Sequence, residues 1–469
     1  MRDLYLLGFL GLFLLCGLRK PFLFTLVYAY VDIVAPQRLS YFLLNAVPVS
    51  LVVFAFALLG FLIDRGKRDA RFSPRQACML VLLAYAGYTT LTADVPLAAA
   101  EKWSWVWKAL VFAIFLPLTL RTRLRIEALA LTMVLSLAAL VVNGGIKTLL
   151  SGGGYGALVI LVEDNSGLYE GSIISCVAIA VIPLIWWIAR HGTIFPSADP
   201  RWRKAMGAFA LALTFACVLI PIGTQARTGL VCLGVLYVLS LRFSRYKFVY
   251  AGGAALLALA AVPFLPTSFS DRMGTIQNYD KDESASTRLA VWAWTWDYVK
   301  AHPGGGGFDA YRQNKLRYEL PVMDANGFDT GNVDVHEVVD EGRAYHSSYF
   351  EMLGEQGFFG LILWLIIHVG GVWRMEMVRR RYRSSEREDE RWIAPLAQAL
   401  ENGQIVYLTG CLFVGIAYQP FVYMLIAMQI GLDTYLARRR KAEGFRTMAA
   451  SLRLAGTRAA GARTGGGSV

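Results

Sequence analysis

Apolar residues run along the chain in thirteen stretches, near 4–18, 21–34, 42–63, 75–92, 104–120, 126–142, 171–189, 205–222, 228–241, 248–267, 347–373, 403–418 and 419–437. A helix rising 1.5 Å per residue needs about 20 residues to cross a hydrocarbon core of about 30 Å. The pattern therefore predicts an all-α, polytopic membrane bundle. The first two stretches are short and read as one bent crossing or a shallow pair; the former gives about twelve crossings. Gln419-Pro420 predicts a tight turn between the last two. Only one polar stretch is long, 269–345. The chain divides accordingly into N-terminal membrane helices (1–268), a large loop containing short helices, one of them interfacial (269–345), C-terminal membrane helices (346–437) and a basic flexible tail (438–469). No repeat, direct or inverted, is visible.

Composition agrees and removes other classes. Of the 469 residues, 56% are hydrophobic and 17% charged, too apolar for a soluble chain to cover its own surface. The net charge of +12 would suit a nucleic-acid partner if it were clustered on one face. Instead thirty of the 46 basic residues fall in one alternating set of loops, including Arg65–Arg75, Arg121–Arg125, Arg190–Lys204, Arg242–Lys247, Arg374–Arg391 and Arg438–Arg463. The other set holds little beyond Arg38, Lys102 and Lys147. Positive loops stay in the cytoplasm, so the charge is topological and no nucleic acid is expected. By parity 269–345, with thirteen acidic and eight basic residues, lies outside. Cys16, Cys78, Cys176, Cys217, Cys232 and Cys411 all fall within apolar stretches and imply no disulfide framework. The N-terminus reads as a retained helix, since no small-residue cleavage site follows it.

Ionisable residues at helix ends on the outer side are the candidate site. In Gln225-Ala-Arg227-Thr-Gly229, Thr228 is expected to cap a helix and Arg227 to stand beside its positive end, although for this motif alone a snorkelling arginine fits better. In Ser286-Thr-Arg288, Ser286 is the expected N-cap and Arg288 sits in the first turn, where a cation opposes the dipole unless an anion binds both. Trp292 and Trp296 share a face of that helix; Trp294 points elsewhere. His302-Pro-Gly304-Gly-Gly-Gly307-Phe308 could cradle phosphate, but without a following Lys-Ser/Thr it reads first as a structural loop. In Arg343-Ala-Tyr345-His346-Ser347-Ser348-Tyr349-Phe350-Glu351, Ser348 and Glu351 form an expected capping box, with His346 just outside the helix. Glu355, about 10 Å further down, should face protein and pair with an arginine such as Arg227. Asp334, His336, Glu337, Asp340 and Glu341 could bind a divalent ion, but lack a second histidine. No metal site and no cofactor is expected.

Arg-Thr-Gly at a helix start, an arginine before a Trp-rich helix, Pro-Gly-Gly-Gly-Gly-Phe, and His-Ser-x-Tyr-x-x-x-Leu-x-Glu-x-Gly opening a membrane helix together resemble the O-antigen ligase superfamily. It comprises lipopolysaccharide O-antigen ligases, O-antigen polymerases and protein O-oligosaccharyltransferases. The likeness covers about 205–375, and Val31-Asp-Ile-Val-Ala-Pro36 resembles the exosortase-associated putative O-glycosylation ligase branch. The resemblance implies a GT-C-like, metal-independent glycosyltransferase of the bacterial inner membrane, acting on undecaprenyl-diphosphate-linked glycan at the periplasmic face. The acceptor is lipid A–core first, with protein or growing glycan as alternatives. Arg227 and Arg288 match the family's essential arginines and His346 its histidine; Ser347 stands where the family commonly has Asn. Two arginine forks can hold the leaving diphosphate, and attack opposite it inverts the sugar carbon. His346 can take the acceptor proton, with Glu351, Glu355, Arg343 and Tyr349 in support. A lipid-linked sugar transporter or flippase is the alternative from another class; it requires ionisable groups deep in both halves of the chain.

Overall fold

The computed structural model describes residues 2–64, 72–153, 167–195, 199–242, 246–249, 252, 283–321 and 335–464. Among the described residues ten helices precede the long loop: α1 (Arg2–Arg19), α2 (Phe22–Val34), the single turn α3 (Pro36–Leu39), α4 (Val49–Ile63), α5 (Pro74–Leu91), α6 (Pro96–Thr119), α7 (Arg123–Ser151), α8 (Gly171–His191), α9 (Pro200–Gly223) and α10 (Arg227–Leu241). The loop supplies α11 (Glu283–Ala301) and strands β1 (Lys315–Pro321) and β2 (Val335–Glu341), which pair antiparallel with Lys315 opposite Glu341. Then come α12 (Ser348–Tyr382), α13 (Ile393–Gly410) and α14 (Pro420–Thr464). Among the described residues five helices are long and apolar enough to cross a membrane, on α7, α8, α9, α12 and α14. The protein is an all-α membrane bundle. The alternating pattern over 334–341 fits an exposed strand, and β2 lies there; its partner β1 was not anticipated.

Helix starts follow local chemistry where loops are short. Ser73 accepts from Gln76 N while Gln76 Oε1 accepts from Ser73 N, a full capping box that opens α5 with Pro74 at its first position. Thr122, Glu170 and Asp199 cap α7, α8 and α9 through side-chain oxygens. The buried faces of α8, α13 and α14 form the centre of the bundle. On α12, Phe359, Ile362, Ile366, Val369 and Trp373 form an outward stripe, opposite buried Trp364, Ile367, His368 and Met375. An exposed apolar stripe at helical spacing is a lipid-facing surface.

Several expectations are corrected. Of the two readings of 1–34, the pair is the one that forms, and it is antiparallel: Phe9 packs on Tyr30 at 5.2 Å, and a Cβ on Gly17 would clash with Phe24. The apolar stretch 248–267 lies outside the described residues. The stretch read as 403–418 is displaced. Helix α13 starts at Ile393 and stops at Gly410, and 411–419 runs irregular through the protein interior. Unwound backbone survives at membrane depth only when protein groups satisfy it. Ser348 Oγ donates to Val414 O and accepts from Ile416 N; Ala417 N donates to Glu351 Oε2; Trp364 Nε1 donates to Ala417 O. At the other end, residues expected as a flexible tail continue α14 to Thr464. Their Ala, Arg, Leu and Met content favours helix, and Arg439 pairs with Glu443 one turn on.

The glycine loop explains a break in α12. Gly357 has φ 62° and ψ −167°, a conformation only glycine adopts readily, and the helix interrupts there. Gly306 N donates to Gly354 O, Gly307 N to Glu355 O, and Phe358 N to Pro303 O. These glycine amides serve the broken helix rather than a phosphate, as the structural reading of the loop expects. A Cβ on Gly357 would lie 2.0 Å from Pro303 O. The strained backbone alone would cost about 1–3 kcal/mol before that clash is counted. Gly357→Ala is therefore expected to fail to accumulate as monodisperse protein, measured by size exclusion of detergent extracts. Gly370→Ala, which meets nothing within 4 Å, should behave as wild type.

Candidate active site

At the long-loop end of the bundle, α11 lies against the start of α12. Trp292 stacks on Phe350 with centroids 4.9 Å apart, and Trp296 meets Phe358 edge-on at 6.0 Å. The two indoles share a face, as their spacing predicts. Trp292 Nε1 donates to Tyr345 O at 2.8 Å, and buried Asn314 clamps Arg343 through Nδ2 to its carbonyl and Oδ1 from its amide. Ser348 N donates to Cys411 O, 2.8 Å away. Residues 343–348 are thus fixed on both sides, and His346 is held between them with φ 48°, exposed to solvent. Crowding around the ring first, then Arg288 and Arg343, holds its imidazole below the usual pKa. Below its ordinary value near 6.5 the ring is neutral at pH 7, the state that can accept a proton.

The caps expected here do not form. Helix α11 begins at Glu283, so Ser286 lies inside it and Arg288 in its second turn. No side chain caps α12, because Ser348 and Glu351 bond the 411–419 segment instead. Thr228 is buried one residue inside α10, which has no side-chain cap. Arg227 opens α10 at this same end of the bundle. Five residues on, Cys232 Sγ reaches Val406 O, near where α13 ends. Tyr349 is turned inward, its hydroxyl on Leu408 O and its ring on Trp364. Asp334 and the side chains of His336 and Glu337 lie outside the described residues, and with them the question of a metal there.

The partner of Glu355 is not Arg227. Lys102, on α6, places Nζ 2.7 Å from Glu351 Oε1, 2.7 Å from Glu355 Oε1 and 3.5 Å from Asp309 Oδ1. Glu355 also accepts from Asp309 N, and Arg312 Nη2 reaches Asp309 Oδ2 at 3.4 Å. Sequence reasoning passed over Lys102 as a stray charge, because its partners lie about 250 residues away. Nothing local marks it beyond its place at the start of an apolar stretch. Beside this cluster opens a cavity of about 270 Å³.

Residues 1–193 match a family of unknown function (DUF5935), and residues 211–365 match the family described as O-Antigen ligase. The second match spans Arg227, Arg288, the glycine loop and His346. Over those residues, about a third of its length, the chain is similar to the O-antigen ligase superfamily. No curated protein matches the chain. Members of the superfamily are glycosyltransferase-like ligases that act between a lipid-linked glycan and an acceptor. In this O-antigen ligase relative the match ends within α12, so the polar seam below belongs to both halves of the chain. Arg75 Nη1 donates to Gln429 Oε1 at 2.8 Å, Gln429 to Gln404 at 2.5 Å, and Gln404 Nε2 lies 3.1 Å from His368 Nδ1. Asp32 and Lys108, both half-buried, also interact electrostatically in the N-terminal half.

Proposed function

We propose that the protein is an inverting, metal-independent glycosyltransferase of the inner membrane. It transfers glycan from undecaprenyl diphosphate to an acceptor hydroxyl at the periplasmic face, with lipid A–core as first acceptor. The observation that carries this reading is His346 held beside Arg288 and Arg343, neutral yet flanked by cations. Such a pair of functions, a base and a cationic cradle, is what departure of a diphosphate and attack by a hydroxyl require. Arg227 and Arg288 bind the diphosphate, and His346 takes the hydroxyl proton. The GT-C-like arrangement and the exosortase-associated branch belong to the same proposal. So do the four sequence segments drawn above, with 269–345 outside.

The test is transfer by purified protein from lipid-linked glycan to lipid A–core, to protein and to free glycan, in excess EDTA. Product on lipid A–core supports the reading. Loss of activity restored by Mg²⁺ would end the metal-independent part, and product on protein or on glycan selects the oligosaccharyltransferase or polymerase alternative. The half-buried Asp32, Lys108 and Arg75 favour one second reading, a flippase. It predicts movement of lipid-linked glycan across vesicles with no transfer.

Two results are expected. Arg288→Ala weakens donor binding and slows transfer, and Arg288→Lys restores only part, because a point charge replaces a bidentate fork. Donor titration of both variants checks this. The second concerns pH. Since Arg343 helps depress the His346 pKa, the acid limb of kcat/KM lies below about 6.5, and Arg343→Gln moves it upward. In the donor complex the diphosphate offsets the arginines, so the kcat limb lies above that of kcat/KM. Rate profiles from pH 5 to 8 decide it; a limb unmoved by Arg343→Gln would remove His346 as the titrating group.

A further inference from the structure

The cavity beside Lys102 has a composition that the transfer chemistry leaves unused. Its floor is Lys102 with Glu351 and Asp309. Trp105, 39% exposed, and Arg312 stand at the mouth, and Tyr418 and Gln419 line the wall from the unwound 411–419 segment. Three features bear on what fits there. The volume, about 270 Å³, lies just under the roughly 300–1,000 Å³ of sites that hold drug-sized ligands. It suits a single ring rather than a chain. Donors (Lys102, Arg312, Gln419) alternate with acceptors (Asp309, Glu351, Gln419), the pattern that satisfies neighbouring hydroxyls, each both donor and acceptor. Trp105 and Tyr418 add flat apolar faces of the kind that pack on ring C–H groups.

The carboxylates exceed the cations that touch them: Glu351, Glu355 and Asp309 against Lys102 and a half-exposed Arg312. That excess favours a ligand rich in hydroxyl donors and disfavours an anion. A phosphate or diphosphate therefore belongs elsewhere, at the arginines.

We propose that this cavity is a sugar-ring subsite, holding one pyranose-like ring through its hydroxyls while the diphosphate and the reacting hydroxyl lie at Arg288 and His346. The inference rests on the glycan-transfer reading and adds to it the place where sugar identity is read. The ring comes from the donor glycan or from the acceptor core, and the chemistry is the same for both.

The experiment measures binding to the full-length protein in nanodiscs, without turnover. One probe is the repeat-unit oligosaccharide released by mild acid from the cell's own lipid-linked donor. The other is the core oligosaccharide released from its lipopolysaccharide. One of the two should bind, and Trp105→Ala and Gln419→Ala should each weaken it roughly tenfold, the worth of one aromatic or hydrogen-bonding contact. Arg288→Ala should leave it unchanged, because neither probe carries the diphosphate. Arg312→Ala, at a half-exposed position, supplies a third variant whose folding does not depend on the cavity, and melting curves verify all three. Binding of the donor-derived probe assigns the subsite to the donor; binding of the core probe assigns it to the acceptor. If neither binds the wild type, or if both bind the folded variants as tightly as the wild type, the subsite is overturned. Transfer activity without cavity-dependent binding would sink this inference alone. Cavity-dependent sugar binding without transfer would sink the enzymatic reading alone.

Discussion

His346→Ala is expected to reduce turnover by roughly 10²–10⁴-fold, the usual worth of a general base, while donor affinity stays near that of the wild type. The asymmetry follows from position. His346 lies just before α12, exposed and flanked by Arg288 and Arg343, and in the proposed mechanism Arg227 and Arg288, not the imidazole, supply the charge that a diphosphate needs. Holding the ring neutral suits it to take a proton and makes it a poor anion ligand. Raising the pH should partly restore the His346→Ala rate, since hydroxide can replace a missing proton acceptor. Single-turnover transfer and donor titration on the same purified variant separate the two terms. Abolished donor binding with unchanged transfer per bound donor would make His346 a phosphate ligand. The base would then have to be sought elsewhere. Glu351 and Glu355 would be poor choices, because Lys102 holds an oxygen of each and Ala417 N takes the second oxygen of Glu351.

Lys102→Met should be the most damaging single change to stability at this end of the bundle. It leaves Glu355, 0% exposed, and Glu351 without their cation, and breaking a buried ion pair from one side costs roughly 3–5 kcal/mol. The damage spreads, because Glu351 also holds the unwound 411–419 backbone and Glu355 the amide of Asp309. The expected result is a large drop in thermal midpoint in detergent or loss of folded protein. Adding Glu355→Gln to Lys102→Met should recover part of it by removing the uncompensated charge, and the double-mutant cycle gives the coupling. A Lys102→Met protein that melts within about 1 kcal/mol of wild type would mean the cluster is screened and contributes as little as a surface pair.

The conformation of residues 343–348 shows how far motif reading reached. The sequence marks Arg288, Arg343 and His346 because each is an ionisable residue beside a helix start, a local property. The structure brings the three together. What the motifs did not reveal was the use of the neighbouring side chains. Ser286, Ser348 with Glu351, and Thr228 all have the chemistry of helix caps, and none caps. A capping group is worth about 1 kcal/mol, and at this end tertiary partners compete with it: Ser348 and Glu351 instead satisfy four groups of an unwound segment and a lysine. At Ser73, Thr122, Glu170 and Asp199, by contrast, local side-chain capping operates.

By itself the sequence determined that the chain is a helical membrane protein, and which residue types gather around His346. Hydropathy is a property of each segment against its solvent, and a long apolar run satisfies its own backbone only as a helix. Only the tertiary structure decided where that rule is suspended. The break at Gly357 needs the glycine loop, about fifty residues earlier, to take up freed carbonyls, and the unwound 411–419 segment needs Ser348, Glu351 and Trp364. The pairing of Lys102 with Glu351 and Glu355 is of the same kind. In a low-dielectric interior a charge must find a partner, but which partner is set by three-dimensional distance, and the spacing of residues along the chain carries no record of it.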